Sequence, residues 1–349
     1  MEIDAIVNER YTVLELTAAI TNRQNEYGLL NSLGLFAEKG IAERFVKIER
    51  REQTLHIIPT SPVGTPAPAD DDPDPANIRI LPTFRHAKKH SLLAEDLQGV
   101  RKFGTEDQLE VFDEKVMEKL DKIQREHRQT KEFLRWGALK GNVYDADGVK
   151  VLYNVYTEMG EVQKVIDWAL GDAASVDAIA DGNMALHDYL EDEALGEPIS
   201  GVVMFCSEGY HNALMKNKDF REAYRYFESR GGPNPNRELL RGPFTFKDVT
   251  YFRHRGKCSF KKSDGSIVTH QFIPTNEAIA VPLGTYETFE SFFGPGEFME
   301  AVNTIGQEIY VKPDVMKLNM GVELHSFSYP LHLVKKPRLV VRCTFSNGV

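Results

Sequence analysis

Histidine, aspartate, serine and cysteine are the side chains whose spacing here invites a chemical reading. His86 and His90 stand four residues apart, the separation that puts two imidazoles on one helical face where they share a metal ion. Between them Ala87-Lys88-Lys89 adds positive charge that opposes a cation, so the segment reads as a solvated basic stretch. The acidic run Asp70-Asp71-Asp72 with Asp74 offers the oxygen ligands that calcium takes. A calcium loop needs carboxylates at alternate positions, a glycine and a distal glutamate. Prolines interrupt instead, which favours a solvated acidic tip.

Other chemistry fades in the same way. Ser207-Glu208-Gly209 follows an apolar run, as a nucleophile does at a strand-to-helix turn, but the full Gly-x-Ser-x-Gly of a nucleophile elbow is not there. Gly294-Pro295-Gly296 lacks the Lys-Ser/Thr pair of a phosphate loop, and its proline removes an N–H such a loop would offer. Cys206, Cys258 and Cys343 are odd in number and far apart, with no Cys-x-x-Cys pair, and read as reduced, partly buried thiols. No catalytic set, metal site or cofactor motif emerges.

Composition bounds what is left. The chain has 349 residues, past the size at which single cores stop growing, and two domains are expected. Hydrophobic residues make up 42% and charged residues 27%, ordinary for a globular protein, and no 18-residue apolar run reads as a membrane span. Met1-Glu2-Ile3-Asp4 lacks the basic and apolar regions of a signal peptide, so a cytoplasmic start is expected. Net charge is −10, and the first 23 residues set Arg10 and Arg23 against Glu2, Asp4, Glu9 and Glu15. That is not an arm built to grasp nucleic acid.

The elements that must position any function are more informative. A short helix is expected over Tyr11–Asn22, with Val13, Leu16 and Ile20 on one side. Val46 and Ile48 alternate with Lys47 and Glu49, and Ile78, Ile80, Pro82 and Phe84 alternate with Arg79, Leu81, Thr83 and Arg85, which reads as a long antiparallel hairpin. Its tip holds seven of the 17 prolines between Pro59 and Pro82, so it is an extended, stiffened loop. Loops this long are rare in compact domains unless they serve a purpose.

Thr105-Glu106-Asp107-Gln108 has a capping-box spacing and opens a helix running to Lys140, with Leu109, Phe112, Val116, Leu120, Ile123, His127, Thr130 and Leu134 in one stripe. It is roughly 50 Å long, the length of a strut. Asp147-Gly148 turns a hairpin that continues through Tyr156, and a helix is expected from about Ala174 to Leu190. The apolar run Gly201–Cys206 reads as a central strand feeding a helix at about Ser207–Ser229. Strands follow at Val249–Phe252, Lys257–Lys261, through the Asp264-Gly265 turn to Phe272, at Ala278–Val281, and on Leu339, Val341, Cys343 and Phe345. The fold class is α+β, with two interleaved domains.

The order of these parts, a short arm, a proline-tipped hairpin, a strut helix, a hairpin-bearing domain, a compact inserted domain and returning strands, resembles the Hong Kong 97-type capsid fold. Local sequence is similar to the lambda-like phage capsid E family: Ala138-Leu139-Lys140-Gly141-Asn142-Val143-Tyr144 at the exit of the spine helix, Phe272-Ile273-Pro274-Thr275-Asn276-Glu277 before an A-domain strand, and Ser328, Pro330, Leu331, Leu333 and Pro337 before the terminal strand. The likeness covers most of the chain beyond about Ile41, and only the ordered set of motifs is specific. The Pro59–Pro75 tip has no clear counterpart.

The resemblance implies an N-arm over 1–40, an E-loop hairpin over 41–90, a P-domain over 91–196 with the spine helix at 105–140, an A-domain over 197–312 and returning P-domain strands over 313–349. It implies contacts with neighbouring subunits at Pro59, Pro62, Pro66, Pro68, Asp70, Asp71, Asp72, Arg79 and Arg85, and a spine-helix core at Leu109, Phe112, Val116, Leu120 and Ile123. It further implies a non-enzymatic major capsid protein, without cofactor. Such subunits form hexamers and pentamers of an icosahedral head, assemble in the host cytoplasm and become part of the virion. Expected partners are further copies of the chain, with scaffold, portal and decoration proteins, and double-stranded DNA enclosed without tight binding; no membrane is involved. Two other readings stay open: an encapsulin-like compartment of the same fold, and a metal-dependent enzyme using the acidic loop.

Overall fold

Alternating apolar and charged residues do become strands, and the strut helix does form. A computed structural model describes residues 16–18, 28–50, 77–97, 108–170, 178–218, 220–222, 243–262 and 264–345. Of the helix expected over Tyr11–Asn22, only residues 16–18 lie within that set, and they are helical with Leu16 buried. The proline-rich tip, with Pro59, Pro62, Pro66, Pro68, Asp70, Asp71 and Asp72, and the capping residues Thr105–Asp107 lie outside it.

A one-turn helix α1 (Leu29–Leu33) leads to strand β1 (Ala37–Gly40). Strands β2 (Phe45–Arg50) and β3 (Asn77–Pro82) form the expected antiparallel hairpin, pairing Val46 with Leu81 and Ile48 with Arg79. The buried face corrects the sequence reading: Val46, Ile48 and Leu81 turn inward, and Ile80 is 59% exposed. Register decides this, because a one-residue shift exchanges the two faces of a strand.

His86 and His90 lie on a strand, β4 (His86–Leu93), and not on a helix. The short helix α2 (Ala94–Leu97) follows, then α3 (Gln108–Lys140), 33 residues long. Its stripe serves two clusters in succession. Phe112, Val116, Leu120 and Ile123 pack with Leu92, Val311, Val322 and Leu324, whereas Leu134, Trp136, Ala138 and Leu139 enter a larger cluster with Phe36, Val46, Leu81, Phe205 and Phe272. Leu109 lies in the helix, with its side chain outside the described set. Gly141 stops the helix in the left-handed region at φ 92°, a conformation where side chains are strained.

Strands β5 (Asn142–Tyr144) and β6 (Val151–Asn154) form the hairpin at Asp147-Gly148. The sequence reading carried it through Tyr156, but Asn154 ends the strand. Its side-chain oxygen accepts the Thr157 N–H at 2.8 Å and caps a one-turn helix α4 (Val155–Met159). Next come β7 (Lys164–Trp168) and α5 (Ala178–Ala194), which ends four residues later than expected, residues 171–177 lying outside the described set. Strand β8 (Gly201–Cys206) is central, as its apolar run requires, and α6 (Glu208–Lys216) follows it. Asn217 interrupts the helix expected to Ser229: residues 218 and 220–222 are helical again, and residues 223–242 lie outside the described set.

The rest is almost all strand: β9 (Phe244–Phe246), β10 (Val249–Arg253), β11 (Lys257–Lys261), β12 (Ile267–Gln271), β13 (Glu277–Leu283), β14 (Phe289–Phe293), β15 (Tyr310–Val315), β16 (Gly321–Ser328), β17 (Pro330–Val334) and β18 (Val341–Phe345). Three sheets of three strands or more result, ordered β7-β18-β13-β8-β10-β9, β15-β16-β4 and β1-β14-β17. The six-stranded sheet draws on both sides of residue 196, since Trp168, Ile179, Leu186 and Leu190 share a cluster with Val202, Met204 and Val341. The three cysteines are free and buried, as their spacing suggested.

Candidate assembly elements

The hairpin arm is anchored to the body by Arg79 and Arg85. Arg79 Nη1 donates to the Thr157 carbonyl at 3.1 Å. Arg85 meets Glu297 through Nε at 3.0 Å and Nη2 at 2.7 Å, and its guanidinium covers the Phe327 ring at 5.0 Å. That paired geometry suits a planar guanidinium and holds the Glu297 carboxyl below its ordinary range. Phe84 stacks on Tyr153 at 5.5 Å beside it. Both arginines, expected at an inter-subunit contact, are thus engaged within the chain. Among the described residues of β2 and β3, Ile80 is the exposed large apolar side chain, opposite exposed Lys47.

Three charged side chains of α3, Lys131, Glu132 and Arg135, are buried. Glu132 accepts the N–H groups of Leu30 and Asn31 at 2.9 and 3.1 Å and the Trp136 Nε1–H at 2.9 Å. Burial raises its pKa. Arg135 donates to Asn31 Oδ1 at 2.6 Å, to Glu38 at 2.7 Å and to Ser291 Oγ at 3.0 Å. Lys131 bridges Glu38 and Glu308 at 3.0 and 2.6 Å. On β14, Glu290 is fully buried and held by Lys39 and Lys335. Sequence reasoning missed this network. The available signal was the adjacency of Arg135 to Trp136, one of only two tryptophans.

The basic stretch around His86 is solvated at Lys88 and Lys89 but not at His90. His86, Lys88, His90 and Leu92 share the face of β4 that meets α3. His90 is 8% exposed and lies 3.0 Å from Glu126, which also binds Lys88 at 2.9 Å. His127 on α3 hydrogen-bonds Ser326 Oγ at 3.0 Å.

Nothing catalytic is assembled from the remaining candidates. Ser207 Oγ accepts the Tyr210 N–H at 3.3 Å and caps α6, so it is a helix cap. A cleft of about 220 Å³ beside it is lined by Glu208, His254, Arg255 and Lys257, but Glu208 already pairs with Arg253 and Arg255 at 3.1 and 3.0 Å. Among the described residues, Asp314, Glu323 and His325 bring ligand atoms within 4.8 Å of one another, yet Glu323 is occupied by Lys89 at 2.9 Å.

The architecture defines a class first. A crystal structure of a capsid protein from an Escherichia coli CFT073 prophage superposes with a TM-score of 0.56 at 15% identity, covering 96% of this chain and 99% of that one. The fold is the Hong Kong 97-type capsid fold. Within it, residues 12–345 match the phage major capsid protein E family, and the chain belongs to that family. It is 27% identical to the major capsid protein of Pseudomonas phage KPP10 over 96% of both chains, and 25% identical to that of Salmonella phage Felix O1 over 95% of both. It is a structural component of the phage head.

Proposed function

We propose that this chain builds an icosahedral head from hexamers and pentamers, with its contacts carried by the reaching elements and not by a pocket. The β2–β3 hairpin acts as an E-loop lying over an adjacent subunit. Helix α3 with β15-β16-β4 acts as the P-domain, and the sheet around β8 as the A-domain converging on capsomer axes. The observation that carries this is the division of labour along α3. One 33-residue helix feeds two hydrophobic clusters while the arm beside it presents an apolar residue, Ile80, to solvent. A shell needs such heterologous contacts, which close into rings and then tile. Scaffold, portal and decoration proteins are its further partners, and the subunit works without cofactor or catalysis.

The acidic balance suits a container filled by a motor. With net charge −10 and no basic arm, the lining lets duplex DNA slide without retarding entry or exit. Tight duplex binding by free subunits at physiological salt, seen in a gel shift, would overturn that part. Electron microscopy of the expressed full chain tests the assembly itself. Deleting Thr60–Pro75 should leave a folded, soluble subunit that forms no shells, and normal shells from that deletion would remove the tip from the assembly surface.

A further inference from the structure

Three histidines lie in the seam between β4 and α3, where an ordinary core would place apolar groups. His86 and His90 come from β4 and His127 from α3. His86 Nε2 and His90 Nδ1 are buried without a hydrogen-bond partner. Ser326 donates its hydroxyl to the Lys88 carbonyl at 2.9 Å, so it accepts from His127, which fixes the proton of that neutral ring on Nε2. Buried imidazoles with idle nitrogens are neutral groups held against their tendency to charge.

The surrounding charges are unbalanced. From β4 comes Lys88, and from α3 come Lys119, Lys122, Lys131 and one carboxylate in contact, Glu126. Asp145 acts on His86 from the β5–β6 turn, Glu308 is taken by Lys131, and the His332 ring on β17 is itself buried. Among the described residues Glu126 is therefore the single contacting anion, already shared between Lys88 and His90. Burial first, then His86, His90 and Lys88, pushes His127 down to about 3, and burial lowers His86 and His90 as well.

We propose that this seam is an acid-operated release: protonation of His86, His90 and His127 frees β4 from α3, and with β4 the hairpin arm that precedes it. Only Thr83–Arg85 separate β3 from β4, so a loosened β4 loosens the root of the arm. The direction follows from the lowered pKa values. The open seam binds protons that the closed seam refuses, so closure is fully favoured above the free-imidazole pKa and weakens as pH falls below it. For His127 alone, opening should become about 30-fold more frequent at pH 5 than at pH 7.5, and more if the other rings charge too.

Hydrogen exchange with mass spectrometry on the unassembled full chain tests this, so failure here is separable from failure of the shell reading. After correction for intrinsic rates, amides of His86–Leu93 should lose protection at pH 5 by at least that factor, and by clearly more than those of Gly201–Cys206. His90→Gln with His127→Gln should flatten the pH response. If that pair misfolds, Glu126→Gln, which removes the one contacting anion, should move the opening to higher pH. Unchanged protection of β4 between pH 7.5 and 5, loss spread evenly over the molecule, or the same response in the histidine variants would overturn the proposal.

Discussion

Arg135 on α3, with 1% of its side chain exposed, lies 2.7 Å from Glu38 on β1 and so ties the C-terminal part of the strut to a strand nearly a hundred residues earlier. The guanidinium also spans to Asn31 and Ser291, joining three segments that share no local sequence. A charge this deeply buried is stable only while its partners are present.

Arg135→Ala should therefore cost about 3–5 kcal/mol, because Glu38 keeps a carboxylate with half its compensation and Ser291 loses its donor. Chemical denaturation of the unassembled chain measures it. A loss below about 1 kcal/mol would mean that water replaces the guanidinium.

Gly182 sits inside α5, where alanine is ordinarily better by about 1 kcal/mol. A Cβ there would stand 2.6 Å from the indole of Trp168, which is 1% exposed and cannot retreat. Overpacking costs about 1–3 kcal/mol, so Gly182→Ala should be net destabilising in a thermal melt, against the propensity scale.

Ile80→Asp changes a residue that is 59% exposed and should alter subunit stability by no more than about 0.5 kcal/mol. Shell yield, counted by electron microscopy, should drop sharply. Normal yield would show that the outer face of the arm is not an interface.

His254 stacks against Trp136 at 4.9 Å and Phe272 at 5.7 Å, with Nε2 unpartnered, and burial lowers it to about 4. The folded state thus holds it neutral, and its contribution is complete above pH 6.5 and lost as pH falls. By pH 5 the loss approaches about 2 kcal/mol. His254→Phe should remove that increment, seen as a shallower slope of denaturation free energy between pH 7 and 5.

What was legible in the residues follows a physical divide. The α3 stripe, the Asp147-Gly148 and Asp264-Gly265 turns and the central strand Gly201–Cys206 are set by local period and turn chemistry, and each is where the pattern placed it. The face of β3 was read the wrong way round, because Ile80 and Leu81 differ only in which one the partner strand turns inward. His86 and His90 looked solvated because lysines stand between them, and in a strand those lysines divide between both faces. Arg135 and Glu132 were indistinguishable from surface charge, since their partners arrive from residues 30–38 and 291.

Strand β18 lies between β7 and β13, and its Val341 pairs with Lys164, 177 residues earlier (341 − 164). On a ribosome adding about 5–20 residues per second, β7 waits roughly 10–35 s for that neighbour. During the interval the apolar faces of β8 and β13 have no complete sheet to join. Chaperone occupancy of nascent chains should accordingly rise after β13 emerges and fall once β18 has paired with β7 and β13.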